Sequence, residues 1–184
     1  VNAEELLRQY RAGKRNFSQV DLAQEILKQT NLSKIDLSQA NLTEVNLSQA
    51  NLSEANFYQA NLNLSNLSQA KLTQANLRLT SMESTLLYKA DLRKAQLEKA
   101  NLSRAILQRT FLREANLEGS ILFKANLQQA NLIDANLQQA NLTDANLKNA
   151  FLQGANLFQA CLDHVDLSQT ILTGAIMPDG TVIR

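Results

Sequence analysis

The chain has 184 residues, a formal net charge of +1 and a pI near 8.0. One domain accommodates that length, and the near-neutral balance points by itself to neither a nucleic-acid nor a membrane partner. The single cysteine, Cys161, permits no internal disulfide and fits a reducing compartment. No apolar run reaches the ~18 residues of a membrane helix and no signal-peptide pattern is present, so cytoplasm is the default expectation. The chain starts at Val1, which is compatible with removal of an initiator methionine or with a missing upstream piece.

Residues 2–13 predict a short amphipathic helix. Asn2 is a capping residue with Glu5 three places later, as in a capping box. Leu6, Leu7 and Tyr10 share one face. Gly13 is a stop, with Lys14 and Arg15 at the negative end.

From residue 15 onward a five-residue beat takes over. It is plainest from Ala125 to Leu157, where A-N-L returns again and again. Taking the leucine as position i, this position falls on every number ending in 2 or 7 from Phe17 to Leu172, which makes 32 units without insertion or deletion. Leu fills 29 of them, the exceptions being Phe17, Phe57 and Met82. Position i−2 is Ala in 19 units and i−1 is Asn or Asp in 21, while i+1 and i+2 are polar and variable.

Five fits neither the helical period nor the strand period. It fits three extended residues and a bend. Alternation then turns i−2 and i inward and i−1 outward, and a chain that bends the same way after every unit closes into stacked coils, a solenoid. Residues 15–27 keep this register poorly. Glu25 falls on an inward place and Ile26 on an outward one, so Glu25 is expected to escape to solvent at the end of the first coil.

These units resemble the pentapeptide repeat family, A(D/N)LXX, over residues 15–176, and are similar to its cyanobacterial members. The resemblance implies an all-β, right-handed quadrilateral β-helix with four units, or twenty residues, per turn. On that reading 32 units make eight coils, and a strand spacing of ~4.8 Å gives a rod of roughly 38 Å. The expected divisions are 1–14 as capping helix, 15–176 as β-helix and 177–184 as a turn and tail. Pro178, Asp179 and Gly180 signal that turn, and Thr181–Ile183 is a candidate last strand.

Residues 28–77 and 125–172 read as regular. Residues 78–124 do not: Ser81, Leu86, Gln96, Ile106, Phe111 and Ile121 stand where Asn is usual. This zone has a net charge of +4, against −2 for residues 16–77 and −3 for 116–172. Either a binding surface or a seam between two repeat tracts accounts for it. With twenty residues per coil, Leu86 stacks under Ile106, Lys89 under Arg109 and Arg93 under Arg113. Tyr88 and Phe111 join them. These eight residues form the candidate interaction patch, gathered around one corner.

No catalytic, cofactor or metal constellation emerges. His164 and Cys161 are the only residues of their kinds and lie on a turn and an outward face of a solid rod, which is poor ground for a nucleophile and base. With Asp163 they make a thin metal set. Lys34 under Glu54, and Lys94 under Glu114 and Asp134, read as charge ladders between coils. The outward Asn row reads as side chains bonded to nearby backbone rather than as a ligand template.

The expected function is a non-enzymatic, rigid protein-interaction module with an unidentified protein partner and no cofactor. A monomer is expected, with weak association of rod ends. The alternative is DNA mimicry, since some members of the family act on DNA gyrase. That requires a strongly negative surface, and only Asp21, Asp36, Asp91 and Asp166 are acidic at i−1.

Overall fold

The computed structural model describes residues 1–184. Helix α1 (Ala3–Arg11) starts at Asn2, whose side chain accepts the Glu5 N–H at 2.9 Å. Glu5 does not complete the reciprocal box. Its carboxylate turns along the helix to Arg8 at 2.6 Å and to Gln9. Leu6 is fully buried over the first coil, and Leu7 and Tyr10 pack half-buried beside it. The Tyr10 hydroxyl donates to the Ser33 carbonyl at 2.8 Å, tying the helix to the rim of that coil.

Beyond α1 the chain is a stack of coils. Parallel bridges join residues twenty apart in unbroken series from Asn16 with Asp36 to Asn141 with Cys161. Four units therefore close each turn, and the rod has four faces. The first carries Leu37 and Leu137, the second Leu42, the third Leu47 and the fourth Leu52, each repeating every twenty residues. The lumen is filled by a continuous core of leucines with alanines in the gaps.

The unit Ile35–Gln39 shows why the pattern needs these residues. Ile35 N–H donates to Leu32 O (3.2 Å) and closes the preceding turn. Asp36 N–H bonds down to Arg15 O (2.8 Å), and Leu37 N–H bonds up to Asn56 O (2.8 Å). Gln39 N–H bonds up to Tyr58 O (2.8 Å). The fifth donor, Ser38 N–H, has no carbonyl in reach and is taken by the Asp36 side chain at 3.0 Å. The same local bond recurs at Asn46, Asn66, Asn126, Asn131 and Asn146. Where an outward Asn or Asp is present, it is thus what satisfies the last backbone donor of the unit, a bond worth about 1 kcal/mol net.

The bend is a type II turn, which needs positive φ at its third residue. That residue is i+2. Its φ is between 55° and 63° in 28 units that use a non-glycine residue. A left-handed residue costs about 1–2 kcal/mol, offset here by the upward N–H bond it makes. At Gly154 a Cβ would meet Asp134 Oδ1 at 2.5 Å, so a side chain there would have to push that carboxylate aside.

Two expectations are corrected. Glu25 does not escape to solvent; its half-buried carboxylate accepts the Ala3 N–H at 3.1 Å, so an acid at an inward register place serves the positive end of α1. Ile26 is outward, as its register place requires, and 63% exposed. Second, the backbone is unbroken through 78–124 and breaks instead in the stretch that reads as regular. No bridge joins Asn146 to Asp166, Gln169 lacks the positive φ, and Asn149 N–H donates to Gln169 O (3.0 Å). The final coil is therefore looser on its third face, and Leu162, Leu167 and Leu172, on its second, third and fourth faces, are only partly buried. The tail turns at Pro178–Gly180 and returns antiparallel, Val182 bridging Ile176 and Gly174 N–H donating to Ile183 O at 2.7 Å.

Candidate interaction surface

A filled lumen leaves only the outer faces and turns for function. On the third face the Asn column stops at two successive coils, where Leu86 and Ile106 bridge one another. Leu86 is 41% exposed and Ile106 half-buried. On the fourth face Phe111 lies above Asp91 and below Asn131, and is 47% exposed. Because none of the three carries a side-chain oxygen, the N–H groups of Tyr88, Gln108 and Arg113 have no acceptor in the protein. The sequence carried this signal in the loss of Asn, but only the bonding pattern of a whole unit reveals its consequence.

The eight patch residues occupy two corners rather than one. Tyr88, Lys89 and Arg109 stand between the third and fourth faces, around a hollow of about 290 Å³ that Gln108, Gln128 and Gln129 complete. Arg93 and Arg113 stand on the far side of the fourth face, with Phe111 between the corners. The four cations are not equivalent. Arg93 grips Asp91 with two bonds of 2.8 and 2.6 Å. Partial burial pushes the Asp91 carboxyl up, but Arg93 outweighs it and holds the group below its ordinary value. Arg113 reaches Glu114 at 3.4 Å and Asp134 at 3.6 Å, so it bridges the one like-charge step in the ladder. Arg109 bonds the Gln129 amide oxygen at 2.6 Å, and Lys89 lies over the Tyr88 ring at 5.3 Å. Slight desolvation pushes the Tyr88 phenol up; bonds and charge from Lys89 and Arg109 overcome this and lower it. Lys89 and Arg109 thus have no carboxylate partner.

The expected ladders form at Lys34–Glu54 (3.6 Å) and Lys94–Glu114 (3.5 Å). His164 and Cys161 each pair with the coil below: His164 Nδ1 lies 3.0 Å from Asp144 Oδ1, and Cys161 Sγ 3.2 Å from Thr143 Oγ1. Nothing joins them as nucleophile and base. No group of three His, Cys, Asp or Glu residues is placed to hold a metal ion, and no helix is long and apolar enough to cross a membrane.

A four-sided β-helix built from five-residue units, with Leu inside and Asn bonded to its own turn, defines a class of solenoid. The family model described as pentapeptide repeats matches in eight copies, over residues 16–52, 30–69, 40–78, 65–104, 100–139, 120–159 and 135–174. The chain belongs to the pentapeptide repeat family, whose right-handed quadrilateral β-helix it adopts. Among solved structures it is similar to HetL, a pentapeptide repeat protein involved in heterocyst differentiation regulation from the cyanobacterium Nostoc sp. strain PCC 7120. Identity is 31% over 99% of both chains, with a TM-score of 0.65. It shares its fold with QnrB1, a plasmid-mediated fluoroquinolone resistance protein, at 14% identity over 92% of this chain and 91% of that one, with a TM-score of 0.53. No curated protein matches the sequence.

Proposed function

We propose that the protein is a non-enzymatic interaction module, a rigid rod that presents residues 86–113 to a protein partner. The observation that carries this is the interruption of the Asn columns at Leu86, Ile106 and Phe111. Each interruption gives up a backbone bond, and Leu86 and Phe111 expose an apolar side chain, a local cost with no structural return, since the ladder runs through the zone unchanged. Apolar, aromatic and Arg side chains gathered together are the composition of protein interfaces. The pairing of His164 and Cys161 with separate neighbours favours binding over catalysis. The likeness to HetL supports a regulatory role, and the lone free thiol suits the cytoplasm.

Affinity capture from the native cell, read by mass spectrometry, tests the proposal. Conversion of Ile106, Arg109, Phe111 and Arg113 together to Asn, Gln, Asn and Ser is expected to leave the fold intact, because Asn is the usual residue at i−1, and to abolish capture of the partner. Capture of the same proteins by the variant would overturn it. DNA mimicry is disfavoured by the net charge of +1. In a supercoiling assay the protein is expected to leave gyrase uninhibited at low micromolar concentration, and inhibition there would revive that alternative.

A further inference from the structure

We infer that the segment bound at this patch is an acidic peptide with interspersed apolar residues, seated over the corner between the third and fourth faces. The inference rests on the interaction reading above and specifies the partner's chemistry. Three kinds of unmet demand meet at that corner. Tyr88 and Gln108 are one coil apart, and their N–H groups lack the oxygen that Asn supplies in the coils below and above, where Asn66 serves Ser68 and Asn126 serves Gln128. Both therefore call for an oxygen acceptor from outside. Lys89 and Arg109 are cations without a carboxylate partner, unlike Arg93 and Arg113 nearby. Leu86 and Phe111 are exposed apolar groups flanking those donors.

A carboxylate answers the first two demands together, accepting from the open amide and from the guanidinium in charge-assisted bonds. An aliphatic or aromatic neighbour in the same segment answers the third. Amide-only or basic segments leave the charge unmet, and a purely phosphate ligand leaves Leu86 and Phe111 in water. The charge pattern also fits steering: the patch lies in the +4 zone, whereas the flanking stretches 16–77 and 125–172 carry −2 and −3, so an acidic segment is drawn to this part of the rod rather than to its flanks.

The test uses the full chain and short fluorescein-labelled peptides that alternate glutamate, glutamine or lysine with leucine, followed by fluorescence anisotropy at low and physiological ionic strength. The glutamate peptide is expected to bind about tenfold more tightly than the glutamine one, with the preference weakening as salt rises. Lys89→Gln with Arg109→Gln is expected to erase that preference. Ile106→Asn, which changes no charge and returns an internal oxygen to the Gln108 N–H, is expected to weaken the glutamate peptide as well. Circular dichroism melts confirm that both variants fold. Equal binding of the glutamate and glutamine peptides, no glutamate-peptide binding, or binding unmoved by the variants overturns the inference. So does tighter binding of a short DNA duplex than of the glutamate peptide. The two readings fail separately. A cellular partner lost from the quadruple variant but retained by Lys89→Gln with Arg109→Gln would uphold the patch and sink the acidic peptide.

Discussion

Leu137→Asp protein is expected to be insoluble, or to melt far below the wild type. Leu137 is fully buried in the middle of the rod, with Leu117 below it and Leu157 above it on the same face. A carboxylate there meets only alkyl groups. All the backbone N–H groups of its unit are already bonded, Leu137 N–H to Asn156 O at 2.7 Å among them. Nothing is free to solvate the charge, and an unpaired buried charge is among the costliest changes a protein can suffer. The loss should exceed the ~4–5 kcal/mol that marks an exceptional mutation. In a solenoid each coil contacts only its neighbours, so the rod is divided at that level rather than weakened evenly. Thermal unfolding followed by circular dichroism checks this. Soluble Leu137→Asp protein with a normal melt would mean that position i does not face the lumen.

Removal of residues 1–14 is expected to give the second largest effect. Leu6 is fully buried against the first coil, a contribution of about 1.5–3 kcal/mol. The bonds from Tyr10 to Ser33 O and from Ala3 N–H to Glu25 go with it, at about 1 kcal/mol each. The more damaging consequence is exposure. Phe17, Leu22, Leu27 and Leu32 lose their cover together, and the lower edge of the first coil becomes a row of unpaired backbone groups ready to pair with another chain. The truncated protein should therefore form higher oligomers in size-exclusion chromatography and melt earlier, with the first coils unfolding first. A monomeric truncation with an unchanged melt would show that α1 is an appendage and not a cap.

Much of this molecule was legible before any coordinates. The inward Leu and Ala and the outward Asn follow from a period of five, and the capping helix from Asn2 and the shared face of Leu6, Leu7 and Tyr10. That period acts over neighbouring residues, where alternation and turn chemistry suffice. Two features of the site were not legible. Arg93 and Arg113 are drawn off to Asp91, Glu114 and Asp134, leaving Lys89 and Arg109 alone; charge counted along the chain cannot assign partners chosen across coils. Glu25 lies on an inward place, yet it receives the N–H of Ala3 because the helix folds back over it. The break at Asp166 was equally hidden, since the five-residue pattern runs through it unchanged and only the missing bridge from Asn146 and the backbone of Gln169 show it.

The five-residue pattern by itself determined that the chain is a solenoid with a leucine lumen, because each unit must bury the same pair and turn the same way. Only the tertiary structure decided what the missing asparagines mean. The five backbone donors of a unit divide into two to the coil above, one to the coil below, one across a turn and one to the Asn or Asp side chain of the same unit. The sequence shows Leu, Ile and Phe at 86, 106 and 111. The stacked coils show that Tyr88, Gln108 and Arg113 are left with an N–H to offer.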